Sequence, residues 1–405
     1  MEKLREREHD FSSKLRQNAT LQRLKDYIEW QRRCNRDGLD RELPIFSPIS
    51  INLDLTSSCN FSCPFCVDSR LINAGKSLTL EDVKKTIDTL HAYGLLSVIL
   101  IGGGEPTLHK DFGEVVRYLK SKRLQVGIVT NGSRLEKIEE VIGELRGKDW
   151  IRISIDAAGE ETFKDLHLPK TKVTLHGILE KAKKVKEKNP AVSWGYSFVI
   201  VWEGVEIKGK RLSPNLHEMV RSVELAREFS FDYVSFKPCL IRWVKSQRET
   251  LLKDVEKTKE KEIIEAIKGH LTEAKRLTGD HVKILESSNL KAMLNQEADR
   301  IKRQPKRCHM QFFRTVVTPF GIFHCPAFRG VEDARIGERD GYVSERKFKE
   351  SLKRTAASIL AFDAEEECKD VGCFYNRSNW WVEEFIHSEE GVHQIEKLED
   401  DNFFL

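Results

Sequence analysis

Three cysteines stand in one short run, Cys-Asn-Phe-Ser-Cys-Pro-Phe-Cys: Cys59, Cys63 and Cys66. Thiolates are soft ligands, and three this close can each hold one iron of a cubic 4Fe-4S cluster. The fourth iron would then have no protein ligand and would be open to a chelating molecule. The bland reading is a zinc knuckle, but zinc closes four ligands, commonly as paired cysteines, and these three stand alone in their neighbourhood. Cys308, Cys325, Cys368 and Cys373 make a second group. Four thiolates could close a tetrahedral zinc site or a fully ligated iron-sulfur cluster, and ligand type alone does not separate the two.

The elements that must position the first group can be read from periodicity. Ile49, Ile51, Leu53 and Leu55 alternate just ahead of it and predict a strand running into the cysteine loop. Thr79 with Asp82 then marks a helix start, and residues 96–101 form a buried strand. Asp111 with Glu114 and Ser133 with Glu136 mark two more helices, with strands at 126–130 and 150–155. A helix over 174–187, an apolar run over 196–202, a helix opened by Ser213-Pro214 and a sixth strand over 233–236 complete the alternation. Strands and helices alternating in this way imply parallel strands with right-handed crossovers. Ligands of such folds sit at the C-terminal strand ends, where the cysteine loop falls.

Gly102, Gly103, Gly104 and Glu105 directly follow the second strand. Glycines there let backbone approach a ligand, and a glutamate offers an acceptor to an ammonium group. The C-x3-C-x-aromatic-C spacing, with Phe65 as the aromatic, and this GGE motif about forty residues on together resemble the radical SAM superfamily. The resemblance implies a partial (β/α)6 TIM-type barrel binding a 4Fe-4S cluster and S-adenosyl-L-methionine. The open iron would chelate the amino and carboxylate groups of that cofactor. One electron would then cleave it to a 5'-deoxyadenosyl radical that abstracts substrate hydrogen. An external one-electron reductant such as flavodoxin or ferredoxin is implied. Phe65, Gly102, Gly103, Gly104 and Glu105 become cofactor-binding positions. Asn131, Ser154 and Asp156, at the third and fourth strand ends, would contact ribose or the methionyl carboxylate. Read without the family, Asn131 serves an Asn-Gly turn and Asp156 caps a short helix. The family's fifth-strand G-x-I-x-G-x-x-E pattern is not recognisable over 196–204, so no adenine contact carries over.

The stretch over 316–325 looks like a β-hairpin with cysteines on its flanks. It resembles the SPASM or shorter Twitch domain of radical SAM enzymes. Three residues separate Gly321 from Cys325, where four are usual, and only four candidate ligands are present against the seven of a full SPASM domain. One auxiliary 4Fe-4S cluster is therefore implied, on Cys308, Cys325, Cys368 and Cys373. Cys239, after the sixth strand, could donate a hydrogen atom or proton to a substrate radical, or be a small buried hydrophobe. Cys34 has no evident role. Trp243, Trp380 and Trp381 could line a pocket or pack a core.

The 405 residues suggest one large domain with an appendage, or two to three smaller ones. Charge is high but balanced, 68 basic against 64 acidic residues for a net of +4, which gives no argument for nucleic acid. Arg300, Lys302, Arg303, Lys306 and Arg307 form one local basic run, either a solvated face or an anion contact. No apolar run approaches the roughly 20 residues that span a bilayer, and the first residues lack a signal-peptide core, so no membrane contact and a cytoplasmic location are expected. Nine cysteines, an odd number, argue for metal or redox duty over disulfides. The expected division is a charged helical extension over 1–48, a core barrel over 49–240, a helical connector over 241–304 and a cysteine-rich α+β auxiliary domain with its tail over 305–405. A radical SAM oxidoreductase-type enzyme acting on a small molecule or a peptide follows, completing a two-electron oxidation or bond formation through the auxiliary cluster. A redox-neutral epimerase or rearrangement enzyme using Cys239, and a non-catalytic zinc-binding interaction module, are the alternatives.

Overall fold

In the computed structural model, residues 11–38, 42–242, 249–250, 257–279 and 281–405 are described. Trp243 lies outside them, as do the first ten residues of the expected N-terminal helix. The strands of the main sheet are β1 (Ser50–Leu53), β2 (Ser97–Leu100), β3 (Gln125–Thr130), β4 (Trp150–Ser154), β5 (Ser193–Ile200), β6 (Tyr233–Pro238), β7 (Lys283–Glu286), β8 (Arg314–Thr318), β9 (Gly321–Phe323) and β10 (Arg335–Gly337). They form one sheet in the order β7-β6-β5-β4-β3-β2-β1-β8-β9-β10. Every pairing from β7 to β8 is parallel, and the β8–β9 and β9–β10 pairings are antiparallel. Among the described residues the sheet is open, with β7 and β10 as edges. The fold is α/β, with a large parallel sheet of the partial-barrel kind.

Alternation within the strands decides which face meets the helices. Ile51 and Leu53, Ile151 and Ile153, Trp194, Tyr196 and Phe198, and Val234 and Phe236 are fully buried in the main apolar core. The residues between them, among them Asn52, Arg152, Ser197 and Lys237, take the inner face.

Two sequence expectations change here. The parallel run does not stop at six strands: β7, a short strand with charged residues at both ends, follows the helix Lys257–Leu277 and pairs with β6. The first strand of the expected hairpin, β8, also pairs in parallel with β1, so the hairpin is built onto the core sheet. Local capping differs as well. Thr79 accepts from Asp82 N as expected, but Asp111 makes no side-chain cap and Glu114 pairs with Arg117 instead. Ser133 is spent on Asn60, and the following helix, Leu135–Glu139, is only one turn long.

The helix Asn18–Asp37 ends at Gly38, whose φ of 80° releases the chain from helical geometry. It buries Leu24, Tyr27, Ile28 and Trp30. The Tyr27 ring lies 5.0 Å from both Phe312 and Phe313, just ahead of β8. Cys34 packs in the same core. No helix among the described residues is long and apolar enough to cross a membrane.

Candidate active site

The cysteine loop leaves β1 and is held by the ends of its neighbours. Cys59 N donates to Asn73 Oδ1 at 2.9 Å, and Cys66 N donates to the Cys63 carbonyl at 3.1 Å. Asn60 is the hinge to β3: its Oδ1 accepts from Asn131 Nδ2 at 2.9 Å and its Nδ2 donates to Ser133 Oγ at 2.9 Å. Asn131 therefore serves the turn and also reaches the cysteine loop. Glu105 N donates to the Ser58 carbonyl at 2.8 Å, which brings the glycine turn after β2 against the same loop. A side chain at Gly104 would collide with the Ser57–Ser58 backbone, and one at Gly102 would meet the Arg329 guanidinium at 2.8 Å. These are close approaches that only glycine permits.

The Glu105 side chain is 3 % exposed and fully engaged. Oε1 accepts from Thr107 N at 3.1 Å, Thr107 Oγ1 at 2.6 Å and Thr130 Oγ1 at 2.7 Å, while Oε2 accepts from Asn131 N at 2.7 Å. Burial raises its pKa, and these donors oppose the rise. The carboxylate thus ties the end of β2 to the end of β3. Asp156 is similarly occupied. It adopts a left-handed φ of 55°, and its Oδ1 accepts from Val199 N at 2.7 Å, anchoring β5. Ser154 stands half-buried beside Ser197 of β5.

Burial raises the thiol pKa values of Cys59, Cys63 and Cys66; repulsion from Cys66 and Cys59 adds to the rise at Cys63, and repulsion from Asp68 and Cys59 adds to that at Cys66, which is pushed up to about 12. They are neighbours that resist ionising together unless a cation compensates them. His167, unremarked in the sequence, is buried against them. Its Nε2–H donates to the Ile155 carbonyl at 2.8 Å, and burial keeps the ring neutral. Its Nδ1 is then an acceptor facing Cys63 Sγ at 3.2 Å.

The second set also assembles. Cys308 precedes β8, Cys325 follows β9, and Cys368 and Cys373 flank a turn after the helix Glu345–Ala361. Burial raises Cys308 to about 12, with Cys325 adding repulsion. Cys368 and Cys373 are raised further, by burial and then by the other thiols of the set. Among the described residues no three His, Cys, Asp or Glu side chains converge closely enough to share one metal ion.

Cys239 stands apart from both sets, fully buried with Leu166, Val201, Trp202, Val205 and Leu212. Burial pushes its thiol up to about 12, the surroundings of a small packed hydrophobe. Phe65 packs against that same cluster, its ring 5.9 Å from His167. Trp380 is exposed and donates its indole N–H to the Arg303 carbonyl, and Trp381 lies under Arg16. Of the basic run, Arg307 donates to Gln31 and Lys302 pairs with Asp299.

One relationship ties the two cysteine sets together. Arg329, four residues after Cys325, is 4 % exposed and reaches Asp68, two residues after Cys66. Its Nε also lies 2.7 Å from Asp54 Oδ2 at the end of β1. That contact is close but not aligned as a hydrogen bond. Sequence offered no signal for it beyond an arginine in a turn.

Residues 53–205 match the Radical SAM superfamily. Over 114 residues the chain is 35% identical to an S-adenosylmethionine-dependent nucleotide dehydratase of Selenomonas ruminantium, covering 28% of this chain and 41% of that protein. Over 117 residues it is 35% identical to the mycofactocin maturase MftC of Mycolicibacterium smegmatis, covering 28% of this chain and 29% of that one. The matched stretch thus spans less than half of either relative. The fold resembles Streptococcus suis SuiB bound to S-adenosylmethionine, with a TM-score of 0.57 at 14% identity over 89% of this chain and 78% of that one. The cofactors of this superfamily are a 4Fe-4S cluster and S-adenosylmethionine, and the three grouped thiols of Cys59, Cys63 and Cys66 fit the cluster. Over residues 53–205, then, the chain carries a radical SAM domain.

Proposed function

We propose that the chain is a radical SAM enzyme of oxidoreductase type, with a second 4Fe-4S cluster on Cys308, Cys325, Cys368 and Cys373. The observation that carries this reading is the assembly of those four partly buried thiols from separate stretches of chain around the hairpin. When bound, the cofactors supply a 5'-deoxyadenosyl radical that takes one substrate hydrogen atom, and an acceptor for the second electron of an oxidation or bond formation.

The chain's own residues would bind, orient and exclude water. Cys59, Cys63 and Cys66 would hold the first cluster, and Asn60 and Asn131 would set the loop against β3. The glycine turn over 102–104 would admit S-adenosylmethionine closely, with Glu105 keeping that turn rigid from behind. Radical SAM enzymes need an external one-electron reductant, for which a flavodoxin or ferredoxin is the proposed partner. The substrate is a small molecule or a peptide. We retain 49–240 as the catalytic core and 305–405 as the auxiliary region.

The test is an anaerobic iron and sulfide count on reconstituted wild type and on Cys368→Ala/Cys373→Ala. About eight irons falling to about four, with S-adenosylmethionine cleavage retained, supports two clusters. An unchanged iron count, or zinc replacing iron in the second set, overturns the auxiliary cluster.

A further inference from the structure

The inner face of the sheet is not packed as a closed barrel core would be. Closed barrels fill that space with layers of branched aliphatic side chains. Here two aromatic rings lie against glycines, Trp150 beside Gly127 and, one inner position further along, Tyr233 beside Gly195. A side chain at Gly127 would strike the Trp150 ring, and one at Gly195 would strike the Tyr233 ring. From the level of Tyr233 onwards, towards the cysteine loop, the inner positions turn polar: Arg152 on β4, then Ser197 on β5 and Lys237 on β6.

The two cations are poorly compensated. The Arg152 guanidinium lies 5.2 Å from the Trp150 ring centre, and its Nε is buried without a hydrogen-bond partner. Lys237 Nζ donates to Ser197 Oγ at 3.1 Å. The carboxylate within electrostatic reach of both is Asp156, which already accepts from Val199 N and faces His167 Nε2 at 3.4 Å. Burial, and then repulsion from Arg152, drives the Lys237 ammonium down to about 7. Positive charge half-buried on an aromatic floor is costly unless an anion joins it.

We propose that Arg152 and Lys237, with the Ser197 hydroxyl between them, bind an oxyanion of the substrate, a carboxylate or a phosphate, on the inner face of the sheet. This deepens the reading above by naming the substrate's chemical class, and it rests on that reading only for calling the ligand a substrate. A guanidinium can take two oxygens of such a group in parallel, and the lysine adds a point charge. The anion would sit over the aromatic floor, beside the strand ends where the cysteine loop lies.

The test is calorimetric titration of inorganic pyrophosphate, and separately of succinate, into the reconstituted full chain with saturating S-adenosylmethionine. The proposal expects one saturable site per chain for at least one anion, and which of them binds separates a phosphate-bearing from a carboxylic substrate. Lys237→Met and Arg152→Gln should each weaken that binding by roughly tenfold or more, and Arg152→Lys by less. Thermal midpoints of the variants separate lost binding from lost folding. No saturable binding of either anion overturns the proposal, as does affinity unchanged in Lys237→Met. Binding seen only without S-adenosylmethionine also overturns it, by giving the cations to the cofactor. Iron content and cofactor cleavage are read on the same wild-type preparation, so failure of the radical reading is seen separately from failure of the anion site.

Discussion

Arg329 Nη1 lies 2.8 and 2.9 Å from the two carboxylate oxygens of Asp68, joining a residue beside Cys325 to one beside Cys66. Burial works against the guanidinium's charge, but Asp54 and Asp68 outweigh it and hold Arg329 protonated. Two carboxylates share one cation. Asp54, with no donor aligned on it, is pushed up to about 8 by burial against the pull of Arg329.

Arg329→Met should therefore leave two buried carboxyl groups without their cation and destabilise the fold by about 3–5 kcal/mol. Arg329→Lys keeps the charge but not the fork, and should fall between. Urea unfolding of the metal-free chain checks both. A loss below about 1 kcal/mol for Arg329→Met would show that the cluster is not a structural tie.

Glu105→Gln should cost about 1–3 kcal/mol with no cofactor present, because its amide N–H₂ would face a backbone N–H whichever oxygen it replaces, that of Thr107 at Oε1 or that of Asn131 at Oε2. Equal unfolding midpoints for variant and wild type would contradict the clamp between β2 and β3.

Lys237 gives a pH dependence with a defined sign. Its folded pKa of about 7 lies below the ordinary lysine value of 10.5, so between pH 7 and 10 the unfolded chain binds the extra proton. Stability relative to Lys237→Met should rise with pH across that window, by up to about 1.4 kcal/mol per pH unit. Below pH 7 the difference should be flat. Unfolding of both proteins at several pH values checks this, and a difference that falls from pH 7 to 9 would contradict it.

Much of the site was legible because its signals are local. Cys59, Cys63 and Cys66 sit within one loop, Gly102 to Glu105 within one turn, and β1 to β6 show as apolar runs separated by helix patterns. What escaped depends on distance along the chain. Arg329 meets Asp68 across 261 residues and Cys63 meets His167 across 104, so neither pair leaves a spacing to read. β7 is four residues long with a charge at each end, too short to show a period. The pairing of β8 with β1 joins elements at opposite ends of the chain. Asp111 and Ser133 have the right types for caps, but Ser133 finds a better partner in Asn60, a tertiary contact overriding a local preference.

His167 is positioned to matter for the loop's order. His167→Phe leaves the Ile155 carbonyl without its donor and removes the acceptor facing Cys63, at a cost of about 1–3 kcal/mol. The same unfolding experiment reads it, and a neutral effect would show that the histidine merely fills space.

The most direct measurement of the central claim is reductive cleavage of S-adenosylmethionine by anaerobically reconstituted wild type and by Cys59→Ala/Cys63→Ala/Cys66→Ala, each with its iron count. The account predicts 5'-deoxyadenosine from the wild type, none from the triple variant, and about four irons lost with the three thiols. Cleavage that survives the triple variant, or zinc bound in place of iron at those cysteines, would contradict it.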